Sequence, residues 1–152
     1  MKTQISLDGF DPAQMPKLFE GGRTVILNKP KGNSMLPFIR GGVDSVKLRE
    51  PKSLEVGNIV LARFGGRYLV HRIIAIDGTK VTLMGDGNLR GLTEEGDVSE
   101  VLGVVDEIIL PNGRHRKPGK GWIWRKLLPV RKYLLKVYRK WNKIFVKVDE
   151  NV

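Results

Sequence analysis

A mainly β body followed by a basic helical tail is predicted by three observations. From Arg23 onward, runs of β-branched residues are broken by glycine and proline at the spacing of short strands. Gly65-Gly66 and Asp77-Gly78 supply the positive-φ residues of tight hairpin turns between three of those runs. Beyond Gly121 the apolar period changes from two to between three and four, with lysine and arginine on much of the remaining surface.

In chain order, the first element is a short helix over 11–21. Asp11 is placed to cap its free amides, Pro12 suits the first helical position, and Gly21 suits a left-handed stop. Strands are then predicted at Arg23–Leu27, Val43–Arg49, Asn58–Phe64, Arg67–Ile76, Lys80–Met84 and Val101–Leu110, with the third to fifth forming an antiparallel meander. Along the fourth, alternation puts Leu69, His71, Ile73 and Ala75 on one face and Tyr68, Val70, Arg72 and Ile74 on the other. The polar, glycine- and proline-containing stretch 111–121 ends the β pattern, giving a body 1–110, a basic linker 111–121 and a tail 122–152. In the tail, Leu127, Val130, Leu134, Val137, Trp141, Ile144 and Val148 recur at helical steps, which predicts an amphipathic helix from near Pro129 to Val148.

Charge follows the same division. The body to Leu110 carries 14 lysines and arginines against 14 acids, whereas Pro111–Val152 carries 13 against 2, so the tail holds the whole +11 excess. With 152 residues, 41% of them hydrophobic, the chain suits one domain with a modest core. No cysteine is present, which excludes disulfides and a thiol nucleophile. With only two histidines, no structural zinc site is expected. No cofactor is expected either. The first residues hold no long apolar stretch, so the expected location is cytoplasmic, with peripheral attachment at a membrane through the tail.

The chemistry-bearing residues are Ser34, in Gly32-Asn33-Ser34-Met35-Leu36-Pro37, and His71, in Tyr68-Leu69-Val70-His71-Arg72-Ile73-Ile74. A serine hydroxyl is a weak nucleophile until a base removes its proton, and the acyl intermediate needs donors aimed at its oxyanion. A serine on an irregular loop at the entry to a strand exposes backbone amides suited to that second task, with Pro37 fixing the exit direction. The chain here resembles the type I signal peptidase family, in its Ser-His branch. Ser34-Met35-x-Pro37 is similar to the family's nucleophile box, and Gly57-Asn58-Ile59-Val60 to its Gly-Asp-[Ile/Val]-Val strand start. Tyr68–Ile74 resembles its general-base strand, and Gly85-Asp86-Gly87-Asn88 its Gly-Asp-x-Asn box.

The resemblance implies an antiparallel β-barrel-like catalytic fold and a serine endopeptidase that cleaves a leader or signal-like peptide. It implies Ser34 as nucleophile, His71 as base and Asp86 as the orienter of His71, with Glu94, Glu95 and Asp97 as alternative orienters. Asn33 and Met35 are candidates for the oxyanion and substrate contacts, and Leu69 and Val70 for pairing with an extended peptide that has small side chains near the cut. Most bacterial relatives carry lysine at the base position. A lysine near pKa ~10.4 must fall by about three units to act near neutrality, whereas a histidine near ~6.5 already does. The family often places a serine two residues before the nucleophile, where this chain has Gly32.

Two other readings stand beside this one. A weakened or inactive peptidase-like binding module is favoured by Gly32. A self-cleaving regulator would need a DNA-binding segment ahead of Ser34 and a lysine base. The tail has three possible partners in descending order: an anionic membrane surface through 122–148, the β body itself, and nucleic acid. His115 lies among basic linker residues and reads as a solvated side chain.

Overall fold

In the computed structural model the described residues are 2–88, 91–127, 130 and 133–141. The strands are β1 (Lys2–Ile5), β2 (Thr24–Leu27), β3 (Ser45–Arg49), β4 (Ile59–Phe64), β5 (Arg67–Asp77), β6 (Lys80–Met84), β7 (Glu94–Asp97), β8 (Val101–Ile109) and β9 (His115–Arg116). A short helix, α1 (Met15–Phe19), precedes β2, and a second, α2 (Trp122–Lys126), follows β9. The nine strands form one sheet in the order β1-β2-β3-β8-β4-β5-β6-β7, with β9 paired to β8.

The mainly β class and the six strand positions read from the sequence are present. Two features of the expected sheet differ. To the mostly antiparallel pairing read from the sequence it adds one parallel pair, β1 with β2, which makes the sheet mixed. It is also open: β1 and β7 are its two ends and do not pair, so no closed barrel forms. Glu94-Glu95-Gly96-Asp97 explains the second difference. It pairs with β6 alone, with Glu95 and Asp97 exposed to water, and such an edge is unsuited to further pairing.

The N-terminal helix forms as its capping signals require. The Asp11 carboxylate accepts from the Ala13 amide at 3.0 Å, a 3-10 turn over Pro12–Gln14 leads into α1, and Gly21 takes φ 70°. Met15 and Phe19 face inward from this segment. At the sheet's centre, β4 is buried on both faces. Ile59 and Leu61 join Leu27, Val46, Val105 and Ile108 on one side, while Val60 and Ala62 join Ile73, Leu83 and Val104 on the other.

Residues 111–121 return to the body. His115 and Arg116 pair with Ile109 and Ile108, His115 Nδ1 bonds the Glu107 carboxylate, and Lys120 bonds Glu55 at 2.8 Å. The hydrogen bond from His115 holds Glu107 below its ordinary carboxylate value, and that from Lys120 does the same for Glu55.

The tail carries helical structure over the described part of the range the sequence predicts, with α2 ahead of the predicted start. Helical structure covers α2 and 133–141, and Pro129, Ile144 and Val148 lie outside the described residues. Leu135, off the predicted stripe, is the residue buried, at 1% exposure, while Val130, Leu134, Val137 and Trp141 remain exposed. Helical periodicity identified an apolar face but not which face the body would cover.

Gly96 of β7 packs flat against the Phe64 ring, where a Cβ would fall 2.5 Å from ring carbons. Gly96→Val is therefore expected to lower stability by about 1–3 kcal/mol through overpacking, measured as a lower urea midpoint with unchanged slope; an unchanged midpoint would contradict this packing.

Candidate functional site

Register on three strands builds the site. Ile73 pairs with Leu83, and Leu83 pairs with Glu94, so these three lie in one row across β5, β6 and β7. Side chains alternate along a strand, so His71 sits two residues along β5 on the same face as Ile73, diagonal to Glu94. Its Nδ1 lies 3.0 Å from Glu94 Oε2. An ionised carboxylate only accepts, so this contact places the imidazole proton on Nδ1 and leaves the Nε2 lone pair free to take another.

Ser34 approaches Nε2 from the loop between β2 and β3. The loop turns over Ser34–Phe38, with Phe38 N donating to Met35 O at 2.9 Å and a cis peptide at Leu36-Pro37. Gly85 is the point of closest approach. A Cβ there would sit 3.2 Å from His71 Nε2, 3.2 Å from Ser34 Cβ and 2.5 Å from Ser34 O. Ser34 Cβ and His71 Nε2 are thus at most twice 3.2 Å apart, with the glycine filling the angle between them. Next to it, the Gly87 amide donates to Ser34 O at 2.7 Å. The Gly85-Asp86-Gly87 turn serves as a close-packed support for the serine, and neither glycine leaves room for a side chain.

The serine is exposed and the histidine is buried at 7% exposure. Both line a cleft of ≈ 570 Å³ with Met35, Leu69, Val70 and Glu94. Among the described residues, the amides of Ser34 and Met35 donate no backbone hydrogen bond, as a loop offering donors to an oxyanion requires. Asn33 lies off the cleft: its carbonyl accepts from Leu36 N and packs under Gly87. Leu69 and Val70 belong to the stretch of β5 that pairs with β4 but lies beyond its pairing with β6, which begins at Arg72. One edge of β5 is therefore open toward the cleft.

Asp86 is placed differently from the orienting role expected of it. Arg72 pairs with Met84, and two residues beyond it the Asp86 side chain turns to Arg72 rather than to His71. There Asp86 accepts from Arg72 Nε at 2.9 and 3.0 Å and from Nη2 at 2.7 Å, both side chains being almost fully buried. Arg72 Nη1 donates to Gly57 O at 2.7 Å and Gly119 O at 2.9 Å. Of the four candidate carboxylates, Glu94 reaches His71; Glu95 bonds Lys80 and Asp97 caps Ser99.

Two parts of the site were not visible in the residue pattern. Ser6, Leu7 and Asp8, which follow the unpredicted β1, wall the cleft, and the Tyr68 hydroxyl holds that segment by donating to Phe10 O at 2.6 Å. Arg72 needs Gly119, from a segment read as a linker, to satisfy its guanidinium. The alternation rule placed Arg72 opposite His71 but carried no sign that its charge would be enclosed.

Arg72→Met leaves the Asp86 charge buried without its partner and is expected to cost about 3–5 kcal/mol by urea denaturation. The double change Arg72→Met/Asp86→Leu should recover much of that loss, and additive losses would show that the two side chains are not coupled. Neither a scan against protein-family models nor a search of curated proteins returned a match to this chain.

Proposed function

We propose that the protein is a serine endopeptidase of the signal-peptidase type, acting on an extended leader or signal-like peptide. The observation that carries this reading is the convergence of Ser34 and His71 on Gly85, with the far side of the imidazole held by Glu94. Catalytic hydrogen bonds are often long without substrate and tighten on binding.

In this reading a peptide pairs along the open edge of β5 beside Leu69 and Val70, and its scissile carbonyl enters above Ser34. Ser34 Oγ attacks the carbonyl carbon as its proton passes to His71 Nε2, and Glu94 stabilises the imidazolium through Nδ1. The carbonyl π bond opens, and its oxygen takes negative charge facing the amides of Ser34 and Met35. Collapse of that intermediate breaks the C–N bond, and the imidazolium gives its proton to the leaving amine. Water then repeats the sequence on the acyl-enzyme, with His71 again as base. Gly32 offers no hydroxyl to the oxyanion, so backbone amides carry that stabilisation; one such donor is typically worth about 3 kcal/mol.

A fluorophosphonate probe on the full chain tests this directly. Wild type is expected to label at Ser34 and Ser34→Ala not at all. His71→Ala should be slower by about 10²- to 10⁴-fold, and Glu94→Gln by a smaller factor. Labelling that persists in Ser34→Ala, or an unlabelled wild type, would remove the assignment and favour a binding module without peptidase activity.

A second reading concerns where the protein works. Among the described residues, seven of the nine exposed large hydrophobics fall within 122–141, and no acid occurs from Pro111 to Val148. Exposed tryptophan and tyrosine among lysines and arginines suit the interface of an anionic bilayer. No helix among the described residues is long and apolar enough to cross one. Co-flotation with vesicles containing phosphatidylserine is expected, falling steeply in Leu134→Glu/Val137→Glu and absent with neutral vesicles. Equal flotation of the variant would exclude this face.

A further inference from the structure

The segment from β9 through α2 lies against the back of the two loops that meet at Ser34, and Trp124 touches both. Its indole N–H donates to Asp86 O at 2.8 Å. The ring meets Phe38 edge-on, with centroids 6.0 Å apart and planes at 83°. Phe38 ends the turn that begins at Ser34, and Asp86 lies between the two glycines that pack on Ser34. The same segment is anchored at three more points: Arg116 donates to Phe38 O, Gly119 O accepts from Arg72, and Lys120 bonds Glu55.

From these contacts we infer that Trp124 is a positioning residue for the Ser34–His71 pair, clamping the nucleophile loop to the Gly85–Asn88 turn from the side opposite the cleft. The inference rests on the peptidase reading for its catalytic meaning. The physical argument is one of freedom. Ser34 lies outside the strands, and among the described residues its own amide and that of Met35 donate no backbone hydrogen bond, so the strand ladder does not hold it. Its position is set by Gly87 N on Ser34 O and by packing behind the loop. The Asp86 carbonyl accepts from the Trp124 indole N–H. Removing that donor and the ring edge frees the turn and the loop to separate, lengthening the path from Oγ to Nε2. Misplacement by about an ångström is enough to cost roughly 10²-fold in rate. The clamp acts on distance alone, since His71–Glu94 lies on the other face of β5.

The test uses the full chain and two variants. Trp124→Phe keeps the ring edge and loses the N–H; Trp124→Ala loses both. Two readouts are followed: the rate of fluorophosphonate labelling across pH, and amide exchange at Gly87 compared with the amides of the β4–β5 ladder. The expected result is a plateau rate lower by about tenfold in Trp124→Phe and by about 10²-fold in Trp124→Ala. The midpoint of the pH profile should stay unchanged, and Gly87 should exchange faster while the ladder remains protected. A rate that falls only with the unfolded fraction, with Gly87 and the ladder opening together, would make Trp124 a stabilising residue and overturn the inference. Unchanged labelling and exchange in both variants would overturn it as well. Absence of Ser34 labelling in wild type would instead remove the peptidase reading, and with it the catalytic meaning of the clamp, before any variant is compared.

Discussion

An arginine taken out of water must have its charge and its N–H groups answered by protein, and at Arg72 four separate stretches of chain do so. Asp86 supplies the charge, Gly57 and Gly119 supply carbonyls, and Phe38 places its ring face 5.0 Å from the guanidinium carbon. Desolvating such a pair offsets most of its Coulomb attraction, so the pair adds little net stability. Its effect is on arrangement. The Ser34 turn, the Gly85–Asn88 turn, the residues leading into β4 and the segment 115–124 all meet at this one group.

That arrangement explains how a site can be built on loops. The β5 strand carries two neighbouring polar residues pointing to opposite faces. His71 faces the cleft and Glu94; Arg72 faces the support and Asp86. Chemistry and scaffolding are thereby separated by a single residue step. The glycines at 85 and 87 sit where the two systems touch, which is why no side chain fits there. The exposed apolar face at 122–141 adjoins the same support through Trp124, so the segment that carries that face is also packed behind the Ser34 loop.

The β-branched runs from Thr24 to Ile109 were legible because each clusters β-branched and apolar residues between glycine and proline breaks. β1, β7 and β9 were not. Lys2–Ile5 and His115–Arg116 are short, and Glu94–Asp97 has no apolar residue; all three become strands because a neighbouring edge offers hydrogen bonds. The candidate site shows the same limit. Ser34, His71, Leu69 and Val70 were identifiable from local context, and they line one cleft. The choice of Glu94 over Asp86 depended on the β5-β6-β7 register, a property of three strands together.

The sequence by itself determined the β class, the positions of six strands and the basic character of the tail, since these follow from residue type and composition within single segments. Tertiary structure decided that the sheet stays open, that His71 meets Glu94 while Asp86 meets Arg72, and that residues 115–124 fold back as a support. Each of those outcomes requires groups far apart in the chain to satisfy a buried charge or a free strand edge, and no local pattern records which distant partner will do so.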